Sequence, residues 1–253
     1  MEPTPTQQAI ADALSAFGQN QPPTSFVPGD ASADAFVRDI GGNPLAFLLA
    51  VIADYRMKAE RAWALPYYLH QRMGLFGPSE IAQAGAGTVA QHLADTPALH
   101  RHPQMVGGWI ADACARVQED YAGDAGAIWG GMPSAVTLLW RLQAFKGVSQ
   151  KKASMAVNIL FRDLGVPIAE PQNIDVSYDI QVRRVFLRAG LVDRDTMADV
   201  ILAARGLRPD YHGGLDVGAW LIGREWCSPT QPRCADCEVG SLCAKRDLPT
   251  VTT

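Results

Sequence analysis

Apolar residues recur at intervals of three and four along most of the chain from Pro44 onward, which is the spacing of one buried helical face. The clearest runs are Leu45, Leu48, Leu49 and Ile52; Ile110, Cys114 and Val117; and Val136, Leu139 and Trp140. Strand alternation is hard to find, and glycine and proline punctuate the pattern. The sequence therefore predicts an all-α fold of short helices joined by tight loops.

The two ends of the chain extend this pattern. Residues 7–17 have helical spacing, whereas residues 18–34 are rich in Pro, Gly, Ser and Asp and predict a linker or surface loop. Further helices are expected to begin near Lys151 and near Asp179. Another helical pattern, starting at Leu215, leads directly into Cys227.

Composition narrows the class of protein only slightly. The chain has 253 residues, 48% hydrophobic and 19% charged, and no apolar run long enough to span a bilayer, so we expect a soluble, cytoplasmic protein. A net charge of −4 and a pI of about 5.7 give no sign of nucleic-acid binding. Residues 141–188 nevertheless hold eight basic and four acidic side chains. Such a segment can hold a polyanion locally, or can be an ordinary solvated face.

Four of the five cysteines crowd the end of the chain with the spacing C-x6-C-x2-C-x5-C, at Cys227, Cys234, Cys237 and Cys243. Two disulfides are one interpretation, although the chain otherwise has a cytosolic character. Structural zinc is a second, but zinc sites usually pair two close doublets and only one is present here. Four thiolates from one compact loop also suit an iron–sulfur cluster. Cys114 lies in an apolar helical pattern and is expected to be a buried hydrophobe.

Residues 142–153 predict a helical hairpin. One helix ends, Gly147 permits a sharp turn, and the next helix begins within four residues. The exposed amides of a helix N-terminus can hold a phosphate, and Lys146, Lys151 and Lys152 would add positive charge. The alternative is an ordinary αα-hairpin with solvated lysines.

Three segments in order resemble the endonuclease III superfamily of DNA glycosylases. Gly147-Val-Ser-Gln-Lys-Lys-Ala153 is similar to the family's helix-hairpin-helix, L-P-G-V-G-x-K-x-A. The stretch from Asp179 to Val192 is similar to D-T-H-V-x-R-V-x-x-R-x-G-L-V, and Trp220 to Cys243 is similar to the family's iron–sulfur loop. The match runs from about residue 142 to residue 245.

The resemblance implies a fold and a division into domains. A six-helix barrel domain with the helix-hairpin-helix is expected at 44–172, with the hairpin near 142–160. A discontinuous iron–sulfur domain is expected from 1–43 and 173–253. DNA would lie in the cleft between the two domains, bent, with a damaged nucleotide turned out into a pocket.

The resemblance also implies catalytic roles. Asp179 matches the catalytic aspartate, whose charge would stabilise an oxocarbenium-like sugar. Lys151 matches the lyase lysine, which would attack C1′ and form a Schiff base. An aspartate at a helix start is also commonly an N-cap, and Asp179 can have both roles. Asp175 is a rival carboxylate, but the family's V-x-R-V pattern does not follow it.

The remaining site residues follow from the same match. Either Tyr55 or Arg56 is predicted to fill the gap that the extruded base leaves in the duplex. The full set of predicted DNA-binding residues is Lys146, Gly147, Ser149, Lys152, Gln181, Arg184, Tyr55 and Arg56. The loop residues Arg233, Lys245 and Arg246 are also expected to face DNA.

Several positions depart from the family pattern. Lys146 and Ser149 replace the proline and second glycine of the hairpin, so the turn is expected to differ slightly. Ile180 and Gln181 replace the Thr-His after the aspartate. Residues 165–172 resemble an insertion between Lys151 and Asp179. These departures bear on the shape of the pocket and the choice of lesion.

The sequence as a whole predicts a base-excision-repair DNA glycosylase with a [4Fe–4S] cluster and AP-lyase activity. Oxidised pyrimidines are the expected lesions for the lysine-bearing branch. The expected partner is double-stranded DNA with a damaged or abasic site, bound by a monomer in a bacterial cytoplasm, without membrane contact. Two alternatives are a monofunctional glycosylase for mispaired or alkylated bases and a non-catalytic protein that binds damaged DNA. A redox-sensing cluster protein is a weaker third alternative.

Overall fold

A computed structural model describes residues 2–21 and 25–247 of the chain. Within these residues the regular elements are all helices, and β pairing is confined to one isolated bridge between Ser134 and Ala169. The α-helices are α1 Pro5–Gln19, α2 Ala31–Arg38, α3 Pro44–Ala53, α4 Ala59–Met73, α5 Pro78–Ala94, α6 Pro103–Tyr121, α7 Ala135–Gln143, α8 Gln150–Arg162, α9 Ile180–Ala189, α10 Met197–Leu207 and α11 Asp216–Glu225. The all-α prediction is confirmed.

The larger of two compact units spans Thr24–Ala169 and contains α2 to α8. Its central helix is α3, in which every residue from Leu45 to Ala53 is at most 4% exposed. A helix that is apolar on all sides can be stable only when other helices surround it. Helices α5 and α6 lie very close together, because a Cβ added to Gly107 would lie 2.8 Å from the backbone nitrogen of Ala90.

The second unit is discontinuous and joins Met1–Pro23 to Glu170–Thr253. It contains α1, α9, α10 and α11. Helices α1 and α11 are in near contact, because a Cβ on Gly218 would lie 2.0 Å from the carbonyl oxygen of Leu14. Leu14, Phe186 and Ile222 are buried in the core of this unit.

The division between the units differs from the predicted domain boundaries at 43/44 and 172/173. Residues 24–43 belong with the larger unit, since α2 packs on α4. The ring of Phe36 on α2 stacks on His70, with centroids 5.4 Å apart, and meets Phe76 edge-on. Helix α2 also occupies part of the stretch 18–34 that was predicted to be a loop; residues 22–24 lie outside the described chain.

One predicted helical face is wrong. Val136 and Trp140 of α7 are exposed at 56% and 75%, and the buried residues are Ala135, Leu138 and Leu142. Apolar residues occur on both sides of this helix, so their spacing alone could not identify the side that packs. In the described residues, no helix has both the length and the apolar character needed to cross a bilayer.

Candidate functional site

The hairpin between α7 and α8 forms as predicted, and its turn depends on glycine at one position. Gly147 has a φ of +82°, and a Cβ there would lie 2.5 Å from the ring of Trp109. Ser149 needs no left-handed conformation, since its φ is −81°. Its hydroxyl caps α8 by accepting the N–H of Lys152 at 3.4 Å. The serine that replaces the family's second glycine is therefore a helix cap.

The first amides of α8 are those of Gln150 and Lys151, which occupy positions that lack an intrahelical acceptor. Lys151 is half-buried at this helix end. Lys146 is exposed, but its ammonium is paired with the Asp112 carboxylate. A phosphate at this turn would therefore be held mainly by backbone amides and the helix dipole. Lys146 could contact the phosphate only by leaving the carboxylate of Asp112.

The prediction that Lys152 lies on the DNA-binding surface is wrong. Its side chain is 6% exposed, and its Nζ donates a hydrogen bond to the carbonyl oxygen of Ile52 at 3.0 Å. Nζ also lies 6.0 Å from the centroid of the Trp109 ring. Burial lowers the pKa of Lys152 to about 8, Asp54 opposes this shift and Lys151 adds to it. The side chain of Lys152 therefore makes its contacts within the interior of the larger unit.

We expect replacement of Lys152 by methionine to change how stability depends on pH. In the unfolded chain the lysine keeps its proton up to its ordinary pKa of 10.5, whereas in the folded chain it loses the proton near pH 8. Unfolding therefore takes up protons between these values, and wild-type stability should rise with pH relative to Lys152→Met. Denaturant unfolding of wild type and Lys152→Met from pH 7 to 10.5 measures the two free energies of unfolding. If their difference does not change with pH, the lowered pKa of Lys152 is refuted.

Tyr55 and Arg56 follow directly after α3. The Tyr55 ring packs edge-on against Trp109, with centroids 5.4 Å apart and an interplanar angle of 81°, and also contacts His102. Arg56 is exposed and has a φ of +50°. A bulky residue in the left-handed region is strained and needs support from its surroundings. The two predicted gap-filling residues thus lie in a loop of constrained geometry.

His100, which follows the loop after α5, is almost completely buried, with 1% of its surface exposed. Its Nδ1 accepts the backbone N–H of His102 at 2.9 Å, so the proton is assigned to Nε2, which donates to the carbonyl oxygen of Ala53 at 3.2 Å. Burial lowers the pKa of His100. No local pattern around His100 indicates this role, because the accepting carbonyl is 47 positions away.

Asp179 is the N-cap of α9, as its alternative interpretation predicted. Its Oδ1 accepts the N–H of Gln181 at 2.8 Å, and the residue is 8% exposed. The segment that precedes it is held by Asp216, whose Oδ1 accepts both the N–H and the hydroxyl of Ser177 at 2.7 Å. Sequence reasoning missed Asp216, although an aspartate at the start of a helix was a signal that could have drawn attention to it.

The rival carboxylate, Asp175, belongs to an ion pair. Arg205 donates to both of its oxygens at 2.8 Å, and the Nδ1 of His212 lies 3.8 Å from Oδ1. A carboxylate in a bidentate pair already has strong partners, which disfavours a role in stabilising a substrate cation.

Gln181 and Arg184, both predicted to bind DNA, are used within the smaller unit. The guanidinium of Arg184 donates to the carbonyls of Gly223 at 2.8 Å and Cys227 at 2.6 Å, and to the side chain of Gln181. A Cβ on Gly223 would lie 2.6 Å from the Cβ of Gln181. The two side chains therefore brace α9 against α11 and the start of the cysteine loop, and their role in DNA binding stays a prediction.

The four clustered cysteines line a single cavity in the smaller unit, together with Arg188, Ile222 and Trp226, among others. All four thiols are free of disulfide bonds, so that interpretation is set aside. Burial raises the pKa of Cys237 and Cys243, and the nearby thiols raise it further. The loop thus brings all four sulfur atoms into mutual electrostatic range.

The backbone around this cavity is closely packed. A Cβ on Gly240 would lie 2.1 Å from the carbonyl oxygen of Cys234, so only glycine fits there. Arg188, which sequence reasoning missed, is 6% exposed and donates to the carbonyls of Ser228 at 2.7 Å and Pro229 at 2.9 Å. It also donates to the sulfur of Cys227 at 3.5 Å. An arginine among the apolar positions of α9 was the available signal in the sequence, since such a position faces the core and a charged group there needs partners.

Zinc and an iron–sulfur cluster make different demands on the four sulfur atoms of this cavity. In the part of the chain that the structure describes, no group of three or more His, Cys, Asp or Glu side chains is arranged to hold a metal ion. A zinc ion would draw its four sulfur ligands to about 2.3 Å from one point. Cys227, Cys234, Cys237 and Cys243 line one cavity and are the residues that could hold an iron–sulfur cluster.

Comparison with known proteins gives a likeness in structure alone. No protein-family model and no curated protein sequence matches the chain. A trapped covalent intermediate of endonuclease III with DNA matches with a TM-score of 0.66 and 17% identity, over 94% of this chain and 96% of that chain. A non-covalent endonuclease III–DNA complex matches with a TM-score of 0.66 and 15% identity, over 96% and 97% of the two chains.

A thermostable thymine-DNA glycosylase also matches, with a TM-score of 0.65 and 14% identity over 95% of this chain and 96% of that chain. The fold of this protein is therefore that of endonuclease III, and the predicted resemblance is confirmed at the level of fold. Lys151 lies in the larger unit and Asp179 in the smaller one.

Proposed function

We propose that this protein is a DNA glycosylase of the endonuclease III superfamily that removes a damaged base from double-stranded DNA. The observation that carries the proposal is Asp179, a nearly buried carboxylate at the start of α9, in a chain with the endonuclease III fold. Two of the matching structures are DNA complexes. The proposed substrate is a duplex with a damaged or abasic site, and the protein is proposed to bind it as a monomer.

The proposed role of Asp179 is electrostatic. Breakage of an N-glycosidic bond leaves positive charge on the sugar, and a fixed carboxylate stabilises that charge without reorganising during the reaction. Asp216 and Ser177 fix the backbone just before Asp179, and the cap to Gln181 fixes its side chain. These contacts supply the rigidity that electrostatic stabilisation needs.

Lys151 is proposed as the nucleophile of an AP-lyase step. Its neutral amine would add to C1′ as the base departs with the bonding electron pair and takes up the proton that the amine loses. Cleavage of the C1′–O4′ bond, with a proton transferred to O4′, would open the sugar ring and leave a Schiff base. Removal of a C2′ proton would then expel the 3′ phosphate by β-elimination.

The proposed binding residues follow from their positions in the hairpin and the loop after α3. The amides after Gly147, with Ser149 as the helix cap, would hold a backbone phosphate. Tyr55 or Arg56 would fill the space left by the extruded base. Oxidised pyrimidines are the proposed lesions.

A [4Fe–4S] cluster is proposed to be held by Cys227, Cys234, Cys237 and Cys243, where it would cross-link the loop and thereby stabilise the smaller unit. The loop arginines are largely occupied within that unit: Arg233 pairs with Glu225 and Arg246 with Asp193.

A second candidate is a monofunctional glycosylase for a mispaired base such as thymine or uracil. The likeness to a thymine-DNA glycosylase favours it, since that structure matches almost as well as the endonuclease III complexes. The two candidates differ in the part played by Lys151.

The lyase step is tested by trapping the Schiff base with borohydride. Wild type is expected to form a covalent adduct with duplexes containing thymine glycol or an abasic site. Lys151→Gln should form none, because its side chain has no amine to attack C1′. Products are resolved on denaturing gels, and base release is measured separately after alkali treatment.

Base release without an adduct in wild type would favour the monofunctional candidate. Uracil and thymine opposite guanine, and an alkylated purine, complete the substrate panel. If no lesion in the panel is released, the glycosylase proposal fails, and binding of the same duplexes would then indicate a non-catalytic damage-binding protein.

A further inference from the structure

The end of α3 is held by side chains from two distant parts of the larger unit. The last carbonyls of a helix have no partners within the helix and need donors from elsewhere. Here the Ile52 carbonyl accepts a hydrogen bond from the ammonium of Lys152, and the Ala53 carbonyl accepts one from the Nε2–H of His100. Both donors are almost completely buried. The loop with Tyr55 therefore begins at a helix end that is held by two buried side chains, Lys152 and His100.

Trp109 forms a second link to the same loop. Its ring packs edge-on against Tyr55, lies directly beside Gly147 of the hairpin turn, and is 6.0 Å from the Nζ of Lys152. A single indole thus contacts the hairpin turn and the loop after α3. Lys152 itself is carried by α8, three residues after the helix cap Ser149.

We propose that Lys152 is a positioning residue that ties the phosphate-binding hairpin to the Tyr55–Arg56 loop. This inference rests on the proposed function. A phosphate bound at the start of α8 would fix α8, Lys152 on α8 fixes the end of α3, and the end of α3 sets where Tyr55 enters the duplex. Lys152 would act only through Tyr55 and would not touch DNA.

A buried lysine lowers the stability of the fold unless its ammonium group makes a needed contact. Burial of an ammonium group is unfavourable, and the depressed pKa of Lys152 reflects this penalty. A methionine would fill a similar volume without that penalty but would leave the Ile52 carbonyl without its donor. His100 would still hold Ala53, so Lys152→Met is expected to fold while its loop after α3 is loosened.

Excision kinetics test the inference with a matched pair of substrates. One duplex carries the lesion that wild type releases fastest, opposite its normal partner base; the other carries it opposite a tetrahydrofuran abasic analogue. Only in the first duplex does extrusion of the lesion leave an unpaired base on the opposite strand, which Tyr55 would contact. We expect single-turnover release by Lys152→Met at saturating enzyme to be slower by about tenfold on the first duplex and within about twofold of wild type on the second.

Tyr55→Ala and the double variant separate a positioning role from general damage. If Lys152 acts through Tyr55, the double variant should be no slower than Tyr55→Ala alone. Lys152→Arg, which keeps a donor, should restore part of the rate on the paired duplex. Equal rates for Lys152→Met and wild type, or equal slowing on both duplexes, would overturn the inference, as would independent effects in the double variant.

Hydrogen exchange tests whether Lys152 holds the loop after α3, and it does not depend on base release. A failure of this inference can therefore be told apart from a failure of the proposed function. Amides of residues 54–58 should exchange faster in Lys152→Met than in wild type, whereas those of α9 and α11 should be unchanged. Unchanged exchange at residues 54–58 would show that Lys152 does not hold the loop, whatever the enzyme does to DNA.

Discussion

Replacement of Asp179 by asparagine is expected to reduce base release at least about a hundredfold, the usual effect of losing one electrostatic group that stabilises a transition state. The reason is charge: asparagine keeps the shape of the side chain but cannot balance a cationic sugar. Single-turnover release from the best substrate of the panel measures the effect. Binding of the same duplex should change far less, because the charge matters mainly when the bond breaks.

The same variant separates catalysis from helix capping. Asparagine is as good an N-cap as aspartate, so Asp179→Asn should unfold at nearly the wild-type denaturant concentration. Asp179→Ala removes both the charge and the cap to Gln181, and should lose about 1 kcal/mol of stability in addition to activity. Full activity in Asp179→Asn would leave Asp179 as a helix cap alone and would refute its catalytic assignment.

The second large effect is expected from Cys237→Ser. Cys237 lines the cavity with the other three clustered cysteines and is held in place by the Gly240 N–H, which donates to its carbonyl at 2.8 Å. Loss of one of four thiolates should remove the proposed cluster from most of the protein. Because binding of a group that the unfolded chain cannot hold contributes directly to folding, the smaller unit should also be destabilised.

Iron and acid-labile sulfide per chain are the measurements, together with thermal unfolding. Wild type is expected to contain about four of each, the content of a cubane cluster. Cys114→Ala is the matched control, since Cys114 is buried in the larger unit and its pKa is raised to about 12 by burial. It should keep the iron. One zinc per chain without sulfide would instead support the structural zinc site.

Lys152 and His100 illustrate what could not be obtained from the sequence. Lys152 lies beside Lys151 in a basic stretch, so a surface role was the natural expectation. Its actual partner, the Ile52 carbonyl, is 100 positions away, and a sequence does not indicate which carbonyl a folded chain will bring near. Asp216 and Arg188 were missed for the same reason.

The starts of helices α8 and α9, by contrast, were predicted to within one residue. Apolar spacing marked their buried faces, and Asp179 marked the start of α9, because capping and periodicity depend only on residues within one or two turns. The cysteine spacing likewise indicated one shared site. The exposed face of α7 shows where this reasoning fails, since an apolar residue can lie on a side to which no neighbour packs.

The sequence by itself thus determined the all-α class, the hairpin with its glycine turn, the cap at Asp179 and the cysteine quartet, each of which is set by local spacing and chemistry. Only the tertiary structure decided that α2 joins the larger unit, that Lys152 is buried, and that Arg184 and Arg188 support the cysteine loop. These outcomes depend on contacts between residues tens of positions apart, whose partners exist only once the helices have packed.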